Sequence, residues 1–226
     1  MIDSRFDYIL LLADKSVPIF FQKNIYKKSK NFFKYWNELG FSTSSIYNQN
    51  DNQSIYFHKS RKKNIPKDNN LIEYVVVPSF DNPRWIIRNE KNIIDNHSSI
   101  IKPSSFKARL IWFIAKIFNK VSFFNLLFNS RIILKNISIE DRYFDSSDSI
   151  ASIIYTGAIG KFQKFTIELS NKNNLVDKYL KLATSDNGIL RIKKEEEALK
   201  ILNEKSFNSV LIPELLTTVN RNNFYG

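Results

Sequence analysis

Apolar and polar residues alternate from Ala151 to Leu169, interrupted by a break that holds Gly157 and Gly160, two of the chain's five glycines. Period-two alternation on both sides of such a break predicts a β-hairpin with these glycines at its tip. A glycine there lets the backbone take positive φ, or approach another group closely, without a Cβ clash. After a polar turn, the short apolar run Asp177 to Ala183 predicts a third strand with Lys181 in its middle. From Leu190 to Asn203 the spacing becomes helical, with Ile192, Leu199 and Leu202 on one face. Glu195 and Glu196 fall near that apolar stripe, and Glu197 points away from it. A carboxylate on the buried face of a helix, following a lysine buried in mid-strand, predicts an ion pair. Either charge buried alone would be costly.

The first half is patterned less regularly. Phe6 to Leu12 is an apolar run that suits a buried strand and is too short to span a bilayer. Ile25 to Leu39 places basic and aromatic residues at helical spacing and ends at Gly40, a C-cap signal. Residues 42–53, rich in Asn and Ser, read as loop, and Ser54 to His58 as a short strand. Arg61-Lys62-Lys63 opens a charged turn, and Leu71 to Val77 predicts a buried strand. Between Val77 and Ile87 two prolines and the Arg84-Trp85 pair predict a rigid turn and a strand with a half-buried tryptophan. From Phe106 to Phe128, Leu110, Phe113, Ile114, Ile117, Phe118, Val121, Phe124 and Phe128 recur with helical period. Lys107, Arg109, Lys116, Asn119 and Lys120 fall largely opposite. Residues 131–137 read as one more strand, followed by an acidic, serine-containing connector.

The pattern as a whole predicts an α+β protein. An α/β leader domain spans 1–145, with an amphipathic helix near 106–128, and an antiparallel sheet with one helix spans 150–226.

Charge adds a question about partners. The formal charge is +12 and the pI about 9.7, with Lys, Asn, Ile, Phe and Tyr abundant, as an AT-rich coding sequence would give. That bias spreads lysine over a surface without choosing a partner; the alternatives are an anionic membrane, nucleic acid or a phosphate-bearing ligand. Zinc-finger spacing, an RNA-recognition aromatic motif and a basic coiled-coil entry are all missing, which argues against nucleic acid. Cysteine is absent, so there is no disulfide framework and no thiolate metal site. The polar, acid-bearing N-terminus does not open like a signal peptide, and a cytoplasmic location is expected. His58 and His97 stand among Ser, Lys and Asn, lack zinc-pair spacing, and read as surface residues. No serine has the Gly-x-Ser-x-Gly context of an activated nucleophile.

Two expectations compete for the 106–128 helix. It is either a core helix with lysines facing water, or an interfacial helix lying on the inner face of the membrane. In the second case Trp112, Phe113, Lys116, Lys120 and Phe124 would meet headgroups and anionic lipid. Charges in its middle argue against a spanning helix.

The order glycine turn, strand, lysine strand, glutamate helix, then Val210 to Leu216 with Ile212-Pro213, resembles the small lobe of the protein-kinase-like fold. The aminoglycoside phosphotransferase and choline kinase branch is the most similar. The resemblance makes Lys181, in Tyr-Leu-Lys-Leu-Ala, the match of the nucleotide-binding lysine. Glu195, followed by Leu199, Leu202 and Ile212-Pro213, matches the helix glutamate. It implies ATP and Mg²⁺, with the Gly157 to Gly160 turn over the phosphates, Lys181 on them and Glu195 holding Lys181. The turn departs from the full Gly-x-Gly-x-x-Gly pattern. No aspartate follows Asp186, so the resemblance further implies a truncated or split phosphotransferase, inactive alone, whose large lobe would be a separate chain. The ending at Asn220 to Gly226 is expected to be an interrupted hinge, not a docked terminus. Residues 77–87 resemble the leader domain of kinase-like proteins found with bacterial surface-polysaccharide enzymes. A non-enzymatic adaptor on the membrane surface is the alternative function.

Overall fold

Strands from both halves of the chain hydrogen-bond into one sheet. A computed structural model describes residues 8–12, 14–22, 25, 30–46, 51–59, 71–80, 82–90, 93, 103, 105–120, 128–137, 139, 143, 149–157, 160–171, 175–205, 212–221 and 224–226. The strands are β1 (Ile19–Phe21), β2 (Thr43–Ser44), β3 (Ser54–Lys59), β4 (Leu71–Val77), β5 (Trp85–Arg88), β6 (Ser130–Lys135), β7 (Ile150–Tyr155), β8 (Phe165–Ser170) and β9 (Val176–Leu182). Their order is β2-β1-β3-β6-β4-β5-β7-β8-β9. Only the pairs of β1 with β2 and β3 are parallel; the others are antiparallel. Among the described residues four helices accompany the sheet: α1 (Tyr8–Leu12), α2 (Lys30–Glu38), α3 (Phe106–Lys120) and α4 (Asp186–Asn203). The fold is therefore mixed α+β, built on a large, mostly antiparallel sheet.

Both faces of the central strands are covered, so β4 and β5 read as continuous apolar runs instead of alternating ones. One face carries Ile86, Ile154, Ile167 and Leu182 into the main core with Trp36, Tyr143 and Phe224. The other carries Val75, Val77, Trp85, Ile87 and Ile153 against Trp112 and Ala115 of α3. The Trp85 and Trp112 rings lie 4.8 Å apart, and Asn119 donates to the Glu90 carbonyl at 3.0 Å, which fixes the far end of α3. The β5–β7 pair, Trp85 opposite Tyr155 and Ile87 opposite Ile153, joins the strands of the first half to the C-terminal hairpin.

Several elements differ from the sequence expectation for identifiable reasons. Tyr8–Leu12 is a helix, not a strand, with four of its five residues buried; a short apolar run carries no period that separates the two. Thr43 and Ser44, expected in a loop, pair beside β1. Trp85 is wholly buried, not half-buried, because α3 covers it. His58 is buried, not a surface residue: its cross-strand partner is Arg131, and Tyr56 stacks on it at 5.7 Å. Burial, with the charge of Glu73 opposing and that of Arg131 assisting, lowers its pKa to about 4. His97 lies outside the described residues, as do residues 121–127 of the expected long helix.

Near the C-terminus, β10 (Asn220–Arg221) and β11 (Phe224–Tyr225) form a small hairpin. Tyr225 bridges to Ala183, Gly226 exchanges two backbone hydrogen bonds with Val219, and Phe224 is buried. The expectation of an undocked ending is corrected: Phe224 to Gly226 are paired into the fold.

Candidate functional site

The site grows from the β7–β8 hairpin. Gly157 has φ +72° and is buried; a Cβ there would stand 2.3 Å from the Lys164 carbonyl oxygen, so only glycine lets the two arms of the turn close. Gly160, also at positive φ, faces open space. The turn is braced from outside and inside. Arg84 Nη1 donates to the Gly157 carbonyl at 3.1 Å, Thr156 Oγ1 to that of Pro83 at 2.8 Å, and Gln163 Nε2 to that of Thr156 at 2.9 Å. These bonds tie Thr156, Gly157 and Gln163 to one another and to the segment before β5.

The helix α4 begins under this turn. Ser185 caps it, accepting from the Gly188 amide at 3.2 Å and donating to the Lys161 carbonyl at 2.9 Å. Gly188 permits the approach, since a Cβ there would lie 2.8 Å from the Gln163 carbonyl oxygen. The helix starts four residues ahead of Leu190, where periodicity alone would begin it, because cap and turn contacts carry no hydrophobic period.

About two and a half turns from the start of α4, Glu195 meets Lys181. Lys181 Nζ lies 2.9 Å from Glu195 Oε2, and Lys164 Nζ holds the other oxygen, Oε1. Partial burial pushes the Glu195 carboxyl up, but the hydrogen bonds and charges of Lys164 and Lys181 outweigh it and hold the group below the usual carboxylate range. Two ammonium groups on one carboxylate leave a net positive charge. The Lys181 side chain is about half exposed, 51%, so it is not buried in mid-strand as expected: β9 is the terminal strand of the sheet. An ammonium has three donors, and the Lys181–Glu195 bond uses one. A groove of about 740 Å³ opens beside the pair, between β9, α4 and residues 213–218. At its rim Glu196 accepts from Lys200 and from the Tyr225 hydroxyl; these two bonds lower its pKa, and the bond to Glu196 raises that of Tyr225. Glu197 is exposed.

Lys181 and Glu195, chosen from sequence, are thus in contact, and Gly157 reaches them through Lys164. Lys164 was not anticipated. Register explains why: Thr166 pairs with Lys181, so Lys164, two residues earlier, shares its face of the sheet. Arg84, expected only as part of a rigid turn, also braces Gly157. Of the residues expected at a membrane interface, Trp112 is buried against Trp85 and cannot reach lipid. Phe113 is exposed and Lys116 half-buried. The Lys120 side chain and Phe124 lie outside the described residues.

Among the described residues no group of three His, Cys, Asp or Glu side chains converges to hold a metal ion. The chain matches no protein-family model, no curated protein and no solved structure.

Proposed function

We propose that the β7–β8 turn, β9 and α4 hold the phosphates of a nucleotide, in the manner of the small lobe of kinase-like phosphotransferases. The chain would then be a relative of an ATP-dependent small-molecule or sugar phosphotransferase. The observation that carries this reading is the Lys181–Glu195 contact at 2.9 Å. A half-exposed ammonium, aimed by a carboxylate that a second lysine also holds, is prepared to receive phosphate oxygens. Glu195 orients Lys181, and Gly157 lets the turn close over Lys164.

The proposal covers phosphate binding. The catalytic base and metal ligands that transfer requires are assigned to no residue of this sequence, and Mg²⁺ would be held through the phosphates it accompanies. A role in surface-polysaccharide synthesis extends the same reading. It gives residues 77–87 no chemistry beyond the bracing of the turn by Arg84.

The test is thermal denaturation with and without Mg-ATP. Ligand at a hundred times its Kd stabilises a folded protein by about 2.7 kcal/mol, a readily measured shift. Lys181→Ala should lose that shift while staying folded, because an ion pair this exposed contributes about 1 kcal/mol or less. A shift of undiminished size in the variant would remove Lys181 from the site.

A further inference from the structure

The helix α3 has two apolar faces, and among the described residues only one packs into a core. Trp112, Ala115 and the Asn119 amide face the sheet. On the opposite face Phe106, Leu110, Phe113 and Ile117 are 83%, 50%, 61% and 44% exposed. Their spacing of four, three and four residues places them in one stripe along the axis. Soluble surfaces expose single apolar side chains freely, but a continuous stripe of four, two of them phenylalanines, marks a surface built to be covered.

We propose that this stripe seats the chain on an anionic lipid bilayer. Charge selects that occupant. Helical geometry puts Lys107 on one side of the stripe, and on the other Arg109, whose Nε donates to the Pro103 carbonyl, and Lys116. Residues 106–120 contain no acidic side chain, and the whole sequence carries +12. Basic groups flanking an apolar stripe suit lipid phosphates above and acyl chains below. The helix lies in the plane of the interface and does not cross it: among the described residues no helix is long and apolar enough to span a membrane. Because Trp112 and Asn119 clamp the inner face to the sheet, the stripe is presented rigidly, and docking requires no refolding. Trp112 thus works as the clamp, and the ring that enters the headgroup layer is Phe113. This inference stands independently of the nucleotide reading.

Flotation of the purified full chain with vesicles tests it. Phosphatidylcholine vesicles containing about a third phosphatidylglycerol are compared with phosphatidylcholine alone, at low and high salt. Binding is expected on the anionic vesicles, weaker at high salt. Phe106→Ser/Phe113→Ser should reduce it by roughly tenfold or more, and Lys107→Glu/Arg109→Glu should abolish the preference for anionic lipid. Both double variants change exposed side chains, so their melting temperatures should match that of the unaltered chain and report intact folding. Failure to bind anionic vesicles at low salt, or equal binding by the serine variant, overturns the proposal. So does concentration-dependent self-association that the serine variant abolishes in the absence of vesicle binding, which would assign the stripe to a second copy of the chain.

Discussion

Replacing Glu168 by glutamine should make the protein more stable, by an amount that grows as pH rises from about 4.5 to about 8. Glu168 lies in β8, opposite Ile153 and Tyr179, and is wholly buried. Burial pushes its pKa up to about 8 from 4.5, because a charged carboxylate loses its hydration there. The native protein therefore keeps the group neutral at pH values where the unfolded chain has ionised it. A pKa raised in the folded state gives stability that is complete below pH 4.5 and is lost progressively as pH rises towards 8. At about 1.4 kcal/mol for each tenfold change in proton affinity, a rise from 4.5 to about 8 corresponds to at most about 5 kcal/mol. Glutamine has nearly the same shape and cannot ionise. Urea unfolding of both proteins, at the two ends of this window, isolates the effect, since every other titration is common to them. The free energies should nearly coincide at the acid end, with Glu168→Gln more stable by several kcal/mol at the alkaline end. A difference that does not change with pH would refute the assignment of a buried neutral carboxyl.

Two further tests concern stability. His58, with its pKa lowered from 6.5 to about 4 by burial, should make the protein lose about 3 kcal/mol as pH falls through that window; a His58→Asn variant should lack this component in acid titrations followed by circular dichroism. Gly157→Ala should destabilise the hairpin by about 1–2 kcal/mol from the backbone angle alone, and by more from the contact with the Lys164 carbonyl; urea unfolding measures it, and an unchanged midpoint would contradict the geometry of the turn.

How much of this was readable in the sequence depended on whether a residue's partners are local. The hairpin, β4, β9 and most of α4 follow from local alternation or helical period, and their bounds agree within a few residues. Lys181 and Glu195 were paired by the order of elements, and the structure brings them together. Lys164 depended on the β8–β9 register, a non-local quantity, so nothing in its own neighbourhood marked it. His58 is followed by Lys59 and Ser60, yet Arg131 lies opposite it and Tyr56 stacks on it, and it is buried. In α3 the hydrophobic period was clear, but a period does not say which apolar face meets the sheet: Asn119, expected opposite the core, is buried, while Leu110, Phe113 and Ile117 are exposed. That choice depended on where Trp85 stands, in the strand that precedes α3 in the chain.

The central claim is that Lys181, aimed by Glu195, receives nucleotide phosphate. Calorimetric titration of the purified chain with a non-hydrolysable Mg-ATP analogue, beside Lys181→Ala and Glu195→Gln, tests it most directly. Saturable binding should occur in the unaltered chain, disappear in Lys181→Ala and weaken in Glu195→Gln, whose lysines lose their common carboxylate. Binding of equal strength in all three proteins, or in none of them, would contradict the account.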